Sequence, residues 1–265
     1  MAAWTATRIR EAKGAHKLVC LTAYDYATAR LLDETGVNLI LVGDSLASAM
    51  LGHDSTLPVT MDQMLYHTAA VSRAVKNALV VGDMPFLSYQ VSIEQAIDNA
   101  GRLVKESGAG AVKIEGGAFR APVVKALIEN GMPVLGHIGL TPQSVRSLGG
   151  YKVQGRNAES AQQLLADAHA LDEAGVFALV LECIPAELGA RITQEIGIPT
   201  IGIGAGNGCD GQILVTHDLL GLPEARTPRF VKPYADLATT MRQAIAAYKK
   251  DVADGTFPDA DHSYE

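Results

Sequence analysis

Eight short apolar runs recur along this chain, most of them followed by an amphipathic segment that closes on glycine. That cadence limits the possible folds more than any other feature. The runs are KLVCLTAYD from Lys17, NLILVGD from Asn38, ALVVGDMP from Ala78, AGAVKIEGG from Ala109, PVLGHIG from Pro133, ALVLECIP from Ala178, PTIGIGAG from Pro199 and GQILVTHD from Gly211. Each is short and rich in Val, Ile and Leu, as strands buried on both faces of a parallel sheet are. The segments between them carry helical spacing, as in Ile93, Ala96, Ile97, Ala100, Leu103 and Val104. Ser92 with Gln95, and Thr60 with Gln63, are placed as capping boxes at two helix starts. Gly36, Gly108, Gly131, Gly175 and Gly197 stand where helices should stop, since the residue past a helix end often takes a left-handed backbone.

Strands alternating with helices fold either as an open doubly wound sheet or as a closed barrel. The count of eight, and no compositional break along 265 residues, favour an α/β chain forming one (β/α)8 TIM barrel domain over residues 1–265. Only four residues, 207–210, separate the last two runs, too few for a crossover helix, and a short turn is expected there. After Gly221 a proline-punctuated loop should lead to a terminal helix from about Ala235, and the tail DADHSYE is expected to fray.

The formal charge of −7 argues against nucleic acid or an anionic membrane as the main partner, because both require concentrated Lys and Arg. Cys20, Cys183 and Cys209 show neither disulfide spacing nor a metal pattern, which suits a reducing compartment. No apolar run approaches the ~18–20 residues of a membrane span, and the charged start lacks a secretory pattern. The expectation is a soluble cytoplasmic protein with small-molecule partners.

Asp25, Asp44, Asp83, Glu115, His137 and Glu182 all lie at or near the carboxyl ends of their runs. In a parallel barrel those ends share one face, and that face carries the active site. Alternation along the fourth run puts Lys113 and Glu115 on one face and Val112 and Ile114 on the other. Charges pointing at the barrel axis are costly unless paired or bound to ligand, so this pair is either a buried ion pair or part of a site. Asp44, Asp83 and Glu115 offer carboxylate oxygens without a thiolate, a donor set suited to Mg²⁺ rather than Zn²⁺. An isolated aspartate in such a place is more often a helix cap; three converging on one mouth favour the metal. Glu182 follows four apolar residues, surroundings that disfavour its charged form and would tune it as a base, though it could instead pair with Lys113. His137 and His217 fit a hydrogen-bonded structural role as well as a catalytic one. Cys183 should point away from Glu182 and pack under a helix. The run from Gly206 to Gly211 satisfies GxGxxG, but a further apolar run follows it where a dinucleotide fold needs a helix. Those glycines are expected to allow close approach of ligand or backbone at the barrel mouth.

The blocks LTAYDY, ILVGDSLASAMLGHDSTLPVTMDQMLYH, ALVVGDMPFLSYQ, AVKIEGG, GHIGLTPQSVRSLGGYKVQGR, ALVLECIPAEL and IPTIGIGAGNGCDGQILVTHDLLG occur in this order. Together with PRFVKPY they resemble the ketopantoate hydroxymethyltransferase family from about Lys17 to Tyr234. The resemblance implies a (β/α)8 barrel in pantothenate biosynthesis that transfers a one-carbon unit from 5,10-methylenetetrahydrofolate. By motif it implies that Asp44, Asp83 and Glu115 form a magnesium site. Ser45, Asp83 and Lys113, with Asp44, meet the 2-oxo acid, and Glu182 is the general base. It also implies a homo-oligomer, commonly a decamer of pentameric rings. Ala47 and Ala74 stand where the family commonly has glycine. The same residues would also suit a magnesium-dependent carbon–carbon lyase or mutase, which needs no folate, or a non-catalytic carboxylate-binding barrel, which needs no base.

Overall fold

A computed structural model of the chain describes residues 3–222 and 228–264. Two compact units are present, Met1–Val215 and Thr216–Glu265. In the first, eight parallel strands close into a barrel in sequence order: β1 (Leu18–Thr22), β2 (Leu39–Val42), β3 (Leu79–Asp83), β4 (Ala111–Glu115), β5 (Val134–Gly139), β6 (Ala178–Glu182), β7 (Thr200–Ile203) and β8 (Gly211–Leu214). The helices of this unit are α1 (Ala6–Glu11), α2 (Tyr26–Glu34), α3 (Leu46–Ala49), α4 (Met61–Ala74), α5 (Ile93–Ser107), α6 (Ala121–Glu129), α7 (Ala158–Ala174) and α8 (Ala186–Glu195). The second unit carries α9 (Thr216–Leu219) and α10 (Leu237–Asp254). No described helix is long and apolar enough to cross a membrane.

The barrel interior is a packed core rather than a channel. Leu18, Cys20, Leu39, Leu41, Leu79, Val81, Ala111, Leu135, Ala178, Val180, Ile201 and Ile213 alternate inward and form one buried cluster. Ile9 and Ala12 join it from below, with Trp4 packed against them, so α1 and its flanks seal the amino-terminal end. Outward residues meet the helices. Gly136 lies on that outer face because a Cβ there would come within 2.9 Å of Leu179.

The expected helix signals act unevenly. Thr60 and Gln63 form a complete capping box on α4. Ser92 accepts from Gln95 N, but the Gln95 side chain turns to Val91 N instead of closing the box. Gly36, Gly108, Gly131 and Gly175 take the left-handed backbone, while Gly197 does not. There the helix has already ended at Glu195, and Gly197 N donates to the Asp172 carboxylate, which satisfies the backbone another way.

Both strands flanking the short seventh connection exist, paired Ile201 with Gly211 and Gly202 with Gln212. No helix joins them. The link folds back along α8, and added Cβ atoms at Gly206 and Gly208 would lie 2.5 and 2.7 Å from Ala186 and Ala190. Gly211 is equally tight against Leu18. The GxGxxG glycines therefore serve backbone packing beside α8 and under β1, the second of the two expected uses, close approach of ligand or of backbone. Below them Asp210 accepts from Lys13 Nζ (2.8 Å) and from Thr200 N (2.9 Å), and Lys17 Nζ donates to Asn207 O. These bonds hold β8 in the ring where a crossover helix would otherwise do so.

In the second unit Asp236 caps α10 and Gly255 ends it in the left-handed conformation. The tail expected to fray carries a 3-10 turn, Ala260–His262, capped by Asp259. Part of the proline-punctuated loop, 223–227, lies outside the described residues.

Asp210→Ala should leave the buried Thr200 N–H without its acceptor and remove the Lys13 ion pair, while Lys13 Nζ keeps Thr193 O. The expected cost is about 3 kcal/mol of unfolding free energy. Urea denaturation of the variant against the parent chain measures it.

Candidate active site

The same alternation that builds the core delivers the polar residues. On β3 the inward series runs Leu79, Val81, Asp83; on β4 it runs Ala111, Lys113, Glu115; on β5 Leu135, His137, Gly139; on β6 Ala178, Val180, Glu182. Each begins in the apolar cluster and ends at the carboxyl-end mouth. Parallel register then sets the neighbours: Asp83 lies beside Lys113, Glu115 beside His137, and Gly139 beside Glu182.

The result is a continuous charged chain across four strands. Lys113 Nζ donates to Asp83 Oδ1 and Oδ2 at 2.8 and 2.7 Å and reaches Glu115 Oε1 at 3.4 Å. His137 Nδ1 lies 3.3 Å from Glu115 Oε1, and its Nε2 lies 3.1 Å from Glu182 Oε2. Both ring contacts are at ion-pair distance but off the hydrogen-bond direction. The Asp83, Lys113, Glu115 and His137 side chains are buried, whereas Glu182 keeps 16% of its side chain accessible.

Asp44 and Ser45 come from the turn after β2. Asp44 N donates to Asp83 Oδ2 at 3.1 Å, and the Ser45 hydroxyl lies 2.8 Å from that of buried Tyr24. Asp25 does not join them: its carboxylate caps α2 by accepting from Thr28 N and Oγ1. His217 lies in α9 of the second unit. Cys183 lies outside the strand alternation on which its expected direction rested. It falls beyond the end of β6 in a left-handed backbone (φ 48°), where alternation no longer applies, and is half-buried.

Gln143 and Tyr89 take part in the site although no strand-end signal marked them. Gln143 N donates to Glu115 Oε2 (3.0 Å), and its amide Nε2 donates to Asp44 Oδ2 (3.1 Å). Its Oε1 accepts from Tyr89 OH at 2.7 Å. The TPQS run following β5 gave no reason to look for a buried amide.

The electrostatics follow from this crowding. Burial raises the Asp44 carboxyl to about 8, with Asp83 and Glu115 adding to the rise and Lys113 and Gln143 opposing it. Burial also lifts Asp83, against the pull of Lys113. Glu115 is lowered despite burial, because Lys113 and His137 favour its charge. For His137 burial disfavours the ring cation, but Glu115 and Glu182 outweigh it and raise the ring to about 9.

Among the described residues no group of three His, Cys, Asp or Glu side chains is arranged to hold a metal. The donor chemistry nonetheless fits a hard divalent cation, since Asp44 and Asp83 bring two buried carboxylates together. The Lys113 ammonium is bound to Asp83, which leaves the Asp44 oxygens without a cationic partner at hydrogen-bond distance among the described residues. Mg²⁺ commonly takes only one or two protein carboxylates, filling its shell with water and substrate. A cavity of about 520 Å³ flanks the mouth, lined by Gly116, Phe119, Gly139, Ser144, Gln163 and Asp167 among others. None of the charged mouth residues lines it, so the chemistry is centred on the charged cluster and the cavity is adjacent space.

A closed parallel barrel with buried carboxylates and one lysine at its carboxyl-end mouth is the arrangement of an enzyme of the (β/α)8 class. The ketopantoate hydroxymethyltransferase family model matches residues 3–260. A 3-methyl-2-oxobutanoate hydroxymethyltransferase of Geotalea daltonii is 59% identical, covering 94% of this chain and 93% of that one. Its counterpart in Syntrophus aciditrophicus is 57% identical over 95% and 93%. The chain belongs to the ketopantoate hydroxymethyltransferase family. In fold alone it is similar to a phosphoenolpyruvate phosphomutase of Streptomyces platensis subsp. rosaceus, with a TM-score of 0.62, 16% identity, and coverage of 98% and 92%.

Both raised groups bind their proton more tightly folded than unfolded, so each stabilises the fold at low pH and loses that contribution as pH rises. For Asp44 the window runs from 3.8 to about 8, and for His137 from 6.5 to about 9. Without divalent cation, unfolding free energy should therefore decline between pH 6.5 and 9. His137→Gln should flatten the upper part of that decline. A decline unchanged in the variant would assign it to another group.

Proposed function

We propose that this chain transfers a hydroxymethyl group from 5,10-methylenetetrahydrofolate to 3-methyl-2-oxobutanoate, giving 2-dehydropantoate in pantothenate biosynthesis. The names of its relatives support the reaction. The observation that carries the assignment of roles is the placement of Glu182. It is the one carboxylate of the charged chain with an accessible side chain, while Asp83 and Glu115 are enclosed.

In this reading Asp44 and Asp83 hold Mg²⁺, with Glu115 completing the acidic surround from β4. When bound, the cation supplies a Lewis acid that favours enolisation of a 2-oxo acid. Ser45 donates a hydrogen bond to the substrate carboxylate, and Asp83 keeps the Lys113 ammonium aimed at the keto oxygen. Glu182 takes the C3 proton. The C3 electron pair then forms a bond to the methylene carbon of the folate as one of its two C–N bonds breaks. Water replaces the second folate nitrogen, supplying the hydroxyl, and tetrahydrofolate leaves carrying the two released protons, so no bond to the protein is needed. His137 stays beside Glu182 and Glu115, linking the base to the acidic surround. The cavity beside Gly139 offers room for part of a second substrate.

A homo-oligomer forms part of the same proposal. Met241, Ile245, Tyr248 and Val252 make an exposed apolar stripe on α10, and Val19 is 54% exposed on β1. Such surfaces support assembly. The subunit number, a decamer by family resemblance, is measurable by light scattering.

The test is proton exchange. With Mg²⁺ in D₂O and no folate, the protein should exchange the C3 proton of 3-methyl-2-oxobutanoate, followed by NMR. Glu182→Gln should slow exchange by roughly 10²–10⁴-fold. Full exchange in that variant would remove Glu182 as the base. Adding methylenetetrahydrofolate should then yield 2-dehydropantoate, the product that a lyase would not make.

Gly139 supplies a second test. Its φ is 95°, and a Cβ there would lie 2.2 Å from the Glu182 carbonyl oxygen. Gly139→Ala should push the end of β6 aside and lower kcat on the order of 10²-fold, since misplacement by about 1 Å costs that much. Single-turnover kinetics of the folded variant checks it.

A further inference from the structure

The buried amide of Gln143 is hydrogen-bonded on every side. Its Nε2 donates to Met84 O (2.9 Å) and Asp44 Oδ2 (3.1 Å), and its Oε1 accepts from Tyr89 OH (2.7 Å) and Gln90 Nε2 (3.2 Å). The Met84 carbonyl can only accept, so the amide nitrogen must face Met84 and Asp44. The backbone N–H of the same residue donates to Glu115 Oε2 at 3.0 Å. One residue thus grips carboxylates delivered by β2 and β4. It does so from the Pro142–Ser144 turn after β5, where Pro142 presets the first backbone angle.

We propose that Gln143 is a positioning residue for the cation site, holding Asp44 and Glu115 in the rotamers and spacing from which a divalent cation is bound. This rests on the magnesium reading of the mouth. Two buried carboxylates with no fixed donor between them would turn apart, because like charges in a low-dielectric site repel strongly. Gln143 supplies one N–H to each. Being neutral, it adds no charge to compete with the cation, which a lysine or arginine in its place would do. Tyr89 holds the arrangement from behind: its hydroxyl donates to Gln143 Oε1 and accepts from Glu115 N at 3.2 Å. Ring contact with the Arg120 guanidinium, 5.4 Å from the ring centre, covers its outer face.

Mn²⁺ binding to the folded protein, read by EPR of the free ion, tests this without turnover. Gln143→Leu keeps nearly the same volume and removes the side-chain amide. It should weaken Mn²⁺ binding by about 10–100-fold, the usual effect of losing a group that orients a metal ligand. KM for the 2-oxo acid should rise in parallel, and circular dichroism should report a native fold. Tyr89→Phe removes only the supporting hydroxyl and should weaken binding by a smaller factor. Wild-type Mn²⁺ affinity in folded Gln143→Leu would overturn the proposal. Should that variant not fold, unchanged affinity in Tyr89→Phe would overturn it equally. A parent protein that exchanges the C3 proton but binds no Mn²⁺ would sink the cation site, and this proposal with it, while leaving the base assignment standing.

Discussion

Lys113 is surrounded by acids. Its ammonium contacts both Asp83 oxygens and lies within reach of Glu115, with its side chain only 5% accessible. Burial alone would strip it of its proton, yet Asp83, Glu115 and Asp44 hold that proton more tightly than usual. The dependence runs both ways, because each of these carboxylates would be far harder to bury ionised without the lysine. One cation cannot neutralise three anions. Burial raises Asp44, the remaining excess adds to that rise, and the flanking Glu115 and Glu182 draw the His137 ring into its charged form. The whole mouth is thus a single electrostatic unit, built from inward positions near the carboxyl ends of four adjacent strands and from the turn after β2.

Much of that unit could be read before any coordinates, because strand alternation is rigid. Lys113 and Glu115 had to share a face, and the closed barrel had to bring the carboxyl ends of the runs together. Side chains that reach the site sideways from turns obey no such period. Gln143 belongs to a 3-10 turn, and Tyr89 to the loop before α5, so neither spacing nor charge distinguished them. Asp25 shows the opposite failure: it stands at a strand end like the others, but the following helix claims its carboxylate as a cap. His137 looked ambiguous as an isolated ring and became informative only through the two acids flanking it.

The glycines divide along the same line. Where a helix end needs a left-handed residue the motif was plain, and four of the five expected positions adopt it. Close approach between elements distant in sequence leaves no local trace. Gly206 and Gly208 resemble a nucleotide fingerprint in spelling, but their partners are Ala186 and Ala190 on the preceding helix. The small residues on α8 and the glycines of the loop are halves of one contact.

That contact bears on how the barrel closes. The other neighbouring strands follow one another in sequence, but β1 must find β8 from the far end of the unit, Leu18 against Gly211. Chain entropy makes this the slowest pairing to form. The helix-free link seats β8 against β7 and α8, so the β1–β8 join is the one ring contact between strands at opposite ends of the unit. Lys13 and Lys17 act as latches across the join, so closure of the ring is secured at the one place where the alternation of strand and helix lapses.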